Sequence, residues 1–167
     1  MMSNRTQDPF NLDRFVKAQS ENYDEALAEL RAGQKRTHWS WYVLPQIRGL
    51  GSSEMSLRYA ISGAPEARAY LRHPTLGQRL MECVTTLNAH RGLSAADILG
   101  PVDAQKFHSC ATLFAAVSAD NSPFHAALDK YFSGVRDRNT VAILAGTTEL
   151  RGFIETRRVR CEVTHVY

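Results

Sequence analysis

Between Lys35 and Ser53 the chain reads KRTHWSWYVLPQIRGLGSS, and the residue types gathered there suit the recognition of an anion. Residues 31–53 hold Arg31, Lys35, Arg36 and Arg48 and no acid, so the local field is positive. Gly49, Gly51, Ser52 and Ser53 precede a helix start, where backbone N–H groups can turn toward a phosphate or carboxylate. Trp39, Trp41 and Tyr42 offer ring faces for stacking, and His38 offers an imidazole suited to acid–base work. In that arrangement Trp39 or Trp41 stacks, Lys35 and Arg48 meet charge, and the Gly49–Ser53 amides hold the anion. Gln46 discriminates polar groups, His38 acts as acid or base, and Lys106 or Asp137 reaches in from across the cleft. The expected ligand is small and phosphate-bearing or nucleotide-like, with no metal and no cofactor implied.

Each of these features has a packing alternative. Cations after a helix C-terminus are stabilised there by the macrodipole. Gly-Leu-Gly-Ser-Ser also describes an ordinary turn with an N-cap, and large aromatic side chains dominate cores. Trp39 and Trp41 are two residues apart, so a helix cannot bury both on one stripe; one of them should face a cleft or a neighbouring element. Other catalytic signatures are missing: there is no phosphate-binding glycine loop of known pattern, no zinc-protease motif, no paired-cysteine motif and no nucleophile elbow. His108 and Cys110 point in different directions on a helix, and Cys110 reads as a small core residue.

The elements that must position these groups are helical. Leu12, Phe15 and Val16, within Asn11 to Gln19, share one face, and Tyr23, Ala26, Leu27 and Leu30 repeat the pattern until Gly33 stops it. Ser52 or Ser53 should cap a short helix carrying Met55 and Tyr59, and Pro65 and Pro74 should open the next two. SAAD at Ser94–Asp97 resembles a capping box, with Asp in the place of Glu or Gln, and its helix should close at Gly100. Asp103 is expected to cap an apolar helix through Phe107, Cys110, Leu113, Phe114 and Val117. Ser122-Pro123 should start another, and Asp137 should cap Thr140–Ala145. The expected fold is all-α: one compact domain of about seven or eight short helices over residues 8–146. Beyond Gly146, RRVRCEVTHVY alternates apolar and polar residues. Residues 147–167 therefore read as a C-terminal extension, irregular or a single strand, that could pair with another copy of the chain.

At 167 residues the chain suits one domain, and its net charge of +3 is too small to imply nucleic-acid binding. No apolar run is long enough to cross a bilayer, and the N-terminus lacks the apolar core of a signal peptide. Cys83, Cys110 and Cys161 are an odd, widely spaced set; they favour a reducing cytoplasm over a disulfide framework.

The strings KRTHWSWYVLPQIRGLGSSEMSLRYAI, EARAYLRHPTLGQRL, KFHSCATLF and YFSGVRDRNT together resemble a bacterial family known as domain of unknown function 1810, some of whose members carry the label calpastatin. The resemblance runs from about Asp8 to Ala145. It implies a compact all-α fold and brings no assigned activity, substrate, cofactor or catalytic residue. Its pattern falls on Lys35, Arg36, His38, Trp39, Trp41, Pro45, Gln46, Gly49, Gly51, Ser53 and Tyr59, and later on His73-Pro74, Lys106, Ser109, Thr112, Tyr131, Gly134, Asp137 and Thr140. The chain departs from it at Ser109-Cys110-Ala111, where many members have Ser-Ser-Met. The spacing around the tryptophans is also faintly similar to a helical family proposed to process ADP-ribose derivatives, with no residue carried over. Two functions compete on these grounds: a small-ligand site around residues 35–59 that binds or acts on its ligand, or a non-enzymatic interaction or structural module whose Trp-rich string is packing core.

Overall fold

Phe15, Gln19, Tyr23, Ala26, Leu27 and Leu30 lie on one face and are buried, as is Leu12 just before them, and the helix that carries the six, α1 (Asp13–Ala32), is continuous. The polar run Ser20-Glu21-Asn22, which separates the two apolar stretches in the sequence, is its solvated face and not a break. The structure is a computed structural model that describes residues 7–146.

After α1 come α2 (Ser40–Val43), α3 (Glu54–Arg58), α4 (Ala64–Arg72), α5 (Leu76–Ala89), α6 (Ala95–Leu99), α7 (Pro101–Ala115) and α8 (Pro123–Phe132). Residues 138–146 are helical as well. The described residues form no strand pairing beyond one isolated parallel bridge between Ile47 and Ile61. The fold is therefore all-α, as its periodicity predicts. The C-terminal extension, with its strand-like alternation and expected self-association, lies outside the described residues.

Helix α7 sits at the centre, packed on α4, α6 and α8, while α5 bridges α1, α4 and α8. Every residue from Ser109 to Ala115 is buried, because neighbours cover the helix on all sides. A line of ring contacts runs through the core from Phe15 to Tyr70, Phe114 and Phe124, with centroids 5.1, 5.4 and 5.5 Å apart. The turn from α4 into α5 is tighter than any side chain permits: a Cβ on Gly77 would stand 2.1 Å from the Leu71 carbonyl oxygen.

Local signals set most of the boundaries. Ser53 and Ser122 accept hydrogen bonds from the N–H groups of Ser56 and His125 as N-caps. Ser94 and Asp97 form a reciprocal capping box, and the Asp137 carboxylate accepts from the N–H and hydroxyl of Thr140. Asp103 does not cap α7. That helix starts at Pro101 after Gly100, which places Asp103 in its first turn and frees the carboxylate for a tertiary role. Nor does Pro74 open α5 directly. His73 performs that service, its Nδ1 accepting from the N–H groups of Thr75 and Leu76 at 3.1 and 3.2 Å.

Two polar anchors join α1 to the rest. The Arg14 guanidinium pairs with buried Glu66 at 2.8 Å and donates to the carbonyls of Phe10, Asn11, Arg58 and Ala60. The buried Gln19 amide donates to the Tyr42 carbonyl at 2.7 Å and to the Tyr70 hydroxyl at 3.1 Å, while its oxygen accepts from Arg79. Buried polar groups carry no penalty when satisfied in this way. Together they hold the 40–66 segment against α1.

Candidate functional site

The last turn of α1 carries a carboxylate, Glu29, that pairs with no cation among the described residues. Glu29 is buried, and its Oε1 accepts from the Arg36 N–H (2.5 Å), the Thr37 N–H (2.8 Å) and the Trp39 indole Nε1–H (3.3 Å). Oε2 accepts from the Thr37 hydroxyl at 2.5 Å. Burial by itself would raise the Glu29 pKa, but the bonds from Thr37, Arg36 and Trp39 outweigh it and hold the carboxyl below its ordinary value. The chain leaving α1 is thus folded back around one acid.

Through Lys35, Trp39 is linked to a second acid. Lys35 lies over the indole face, its Nζ 5.0 Å from the ring centroid, and pairs with Asp103 Oδ2 at 2.8 Å. The same ammonium donates to the Thr37 carbonyl at 2.5 Å, and the Lys35 N–H donates to the Ile98 carbonyl at 2.7 Å. Lys106, one turn beyond Asp103 on α7, reaches the other carboxylate oxygen at 3.4 Å and lies over the Trp41 ring at 4.8 Å. Burial would raise the Asp103 pKa; the Lys35 hydrogen bond and charge, with help from Lys106 and Ser40, reverse that and hold the carboxyl below the usual range. The buried Ser40 hydroxyl stands close enough to contribute, although it makes no hydrogen bond of good geometry.

One indole is therefore core and the other is not. Trp39 is 1% exposed, whereas Trp41 is half-buried and reaches the surface. Beside Trp41, the Gln46 amide donates to the buried Ser109 hydroxyl at 2.9 Å, a third contact between the string and α7 after those at Asp103 and Lys106. The Ile47–Ile61 bridge, closed by Ile61 N–H to the Gln46 carbonyl and Arg48 N–H to the Ile61 carbonyl, then aims the glycine loop.

That loop is compact. Gly49 has a φ of +107°, and a Cβ there would lie 3.2 Å from Ile143. A Cβ on Gly51 would come within 2.6 Å of the Ser56 hydroxyl, which Ser53 also holds by a 2.8 Å hydrogen bond. Between Trp41, Gln46, Gly49, Gly51, Ser56 and Tyr59 there remains a cavity of about 10 Å³, room for about one water. The helix that Ser53 begins has only five residues, so its dipole adds little.

Among the predicted site residues the structure brings together Lys35, Trp39, Trp41 and Lys106 around Asp103, with Gln46 beside Trp41 and Gly49 and Gly51 lining the same small cavity. His38 and Arg48 are exposed, and no described residue orients the His38 ring. Ser53 serves as a helix cap, and Asp137 caps residues 138–146, the helix that brings Ile143 onto Gly49. The six polar groups Lys35, His38, Gln46, Ser53, Lys106 and Asp137 do not share one cavity. Glu29, Asp103 and Ser109 are the partners that pattern reading did not assign to the site. Glu29 sits in a helical stripe that looks solvated, and Asp103 looks like a cap. Cys110, expected in the core, is fully buried and its thiol pKa is raised by burial; the Cys83 thiol is pushed up to about 12 for the same reason. Neither is available as a thiolate. Among the described residues no three His, Cys, Asp or Glu side chains stand together as a metal site.

A family model described as protein of unknown function (DUF1810) matches residues 9–144, nearly the span of the resemblance read from the sequence. The comparison with solved structures finds a conserved hypothetical protein from Mycobacterium tuberculosis, 52% identical, with a TM-score of 0.81, covering 83% of this chain and 99% of that one. No curated protein matches.

Proposed function

The chain belongs to the DUF1810 family of proteins of unknown function, and from that premise we propose that its Trp41 face binds a small phosphate-bearing ligand. The observation that carries the reading is the imbalance at Asp103. Lys35 takes the carboxylate at 2.8 Å and Lys106 only approaches it at 3.4 Å, so Lys106 is a half-buried cation with donors to spare over an indole. Exposed Arg36 and Arg48 add to the field in a stretch without acids.

The small cavity admits one oxygen-sized group, so a ligand lies across Trp41 with its charge at Lys106. A base or other flat ring stacks on the indole, which is where a nucleotide-like ligand gains affinity. Gln46 supplies a polar contact, and exposed His38 is the group that would exchange a proton with such a ligand. Two buried free thiols, Cys83 and Cys110, suit a reducing compartment such as the cytoplasm. No helix among the described residues is long and apolar enough to cross a membrane.

Calorimetric titration with inorganic phosphate, AMP and ADP-ribose tests this reading. The expected result is binding that Lys106→Ala weakens by about tenfold, or ~1.4 kcal/mol, and that His38→Ala leaves in place. No heat from any of the three at millimolar concentration would remove the proposal.

A further inference from the structure

A second concavity lies away from the tryptophans, between the start of α1 and the outer face of α4. It encloses about 900 Å³, within the range of small-molecule sites and far larger than the space beside Trp41. About half of its lining is apolar: Pro9, Phe10, Leu12, Pro65, Ala69 and Pro74. Arg68 and Arg72 stand one helical turn apart on the α4 wall, both exposed. Among the described residues neither guanidinium has a hydrogen bond or an ion pair, in contrast to Arg14, which is fully engaged nearby.

The acids across the groove do not answer them. Asp8 accepts from the N–H groups of Leu12 and Asp13 at the start of α1, and Asp13 pairs with Lys17 at 3.0 Å. His73 adds a directed donor. Its Nδ1 accepts two backbone N–H groups, which places the ring proton on Nε2.

We infer that this groove is a binding site for a small amphiphilic anion, a carboxylate carried on an apolar chain. Two guanidinium forks one turn apart match the planar oxygens of a carboxylate, and the phenyl, proline and leucine surfaces take the chain. Neither part alone specifies the ligand: the arginines need the negative group and the walls need the apolar one. The site shares no residue with the Trp41 face, so the two stand or fall separately.

Fluorescence of anilinonaphthalene sulfonate, an aromatic anion that brightens on apolar surfaces, tests the site on the full chain. The expected result is saturable enhancement that the double variant Arg68→Ala/Arg72→Ala weakens by tenfold or more, while Lys106→Ala leaves it unchanged. Decanoate should displace the probe, and acetate and decyltrimethylammonium should not. Because both arginines are exposed, the variant should keep the wild-type circular dichroism and melting curve, which confirms that loss of binding is not loss of fold. Unsaturable enhancement, wild-type affinity in the double variant, or equal displacement by the cationic detergent would each overturn the inference.

Discussion

Replacing Glu29 with alanine should destabilise the protein by about 2–4 kcal/mol, a large effect for a single polar side chain. The carboxylate accepts four hydrogen bonds from the segment 36–39, and its removal strands the Thr37 and Trp39 donors in a buried place. Glu29→Gln keeps the shape. Its amide oxygen can still accept the three N–H groups, and its NH₂ can face the Thr37 hydroxyl, so the cost should be about 1–2 kcal/mol. Denaturant unfolding of the two variants separates the shape from the charge. The pH dependence separates them again. Because the folded pKa of Glu29 is below its ordinary 4.5, the ionised form stabilises the fold. That contribution is complete above about pH 4.5 and is lost as pH falls through the folded value. The glutamine variant should therefore lose less stability than wild type on acidification through that range. Asp103, also held below its ordinary value, should keep its own acid-labile share in both proteins.

Trp39→Ala should cost about 3–5 kcal/mol by a different route. The indole is fully buried between Glu29 and Lys35, so its removal leaves a cavity that two charged neighbours cannot fill. Trp39→Phe should cost less, and its loss should fall mainly on the Nε1–H bond to Glu29. If so, Trp39→Phe combined with Glu29→Ala should destabilise by less than the sum of the single variants, since both break the same contact. Strict additivity would show that the indole and the carboxylate are not energetically coupled.

These two residues show what was legible in the sequence and what was not. Caps and stops are local, so Ser53, Ser94-Asp97, Ser122, Gly33 and Gly100 could be read where they stand. That Trp39 and Trp41 would face different ways was also legible, because residues two apart on a helix cannot share one stripe, but which of them would be buried was not. Contacts between distant elements were not. Nothing around Glu29 predicts that the chain folds back over it, because its partners belong to an irregular loop. Asp103 has the spacing of a helix cap, and only the packing of α7 on α6 and the string turns it toward Lys35. Gln19 occupies an apolar position of α1 and hides as a polar interruption, although it is one of the best satisfied groups in the core. Gly77 carries no periodic signal, yet the closeness of α4 and α5 depends on it.

The cations followed the same logic. Residues 31–53 are rich in Lys and Arg, and composition treats them alike. The structure distributes them: Lys35 is neutralised by Asp103, Arg36 and Arg48 are in solvent, and Lys106, from a distant helix, lies over the half-buried Trp41 indole. Most of the conspicuous string is thus scaffold, and its outer edge at Trp41 is where we propose that a ligand binds.

The protein contains two tryptophans, so their fluorescence tests that division directly. In Trp41→Phe only the Trp39 signal remains; it should resist quenching by acrylamide and should not respond to AMP or phosphate. The wild-type protein should show a quenchable component that changes on ligand addition, and that component should vanish in Trp41→Phe. A ligand response that survives in Trp41→Phe, or a Trp39 signal quenched as readily as the wild type, would contradict the assignment of Trp39 to the scaffold and Trp41 to the site.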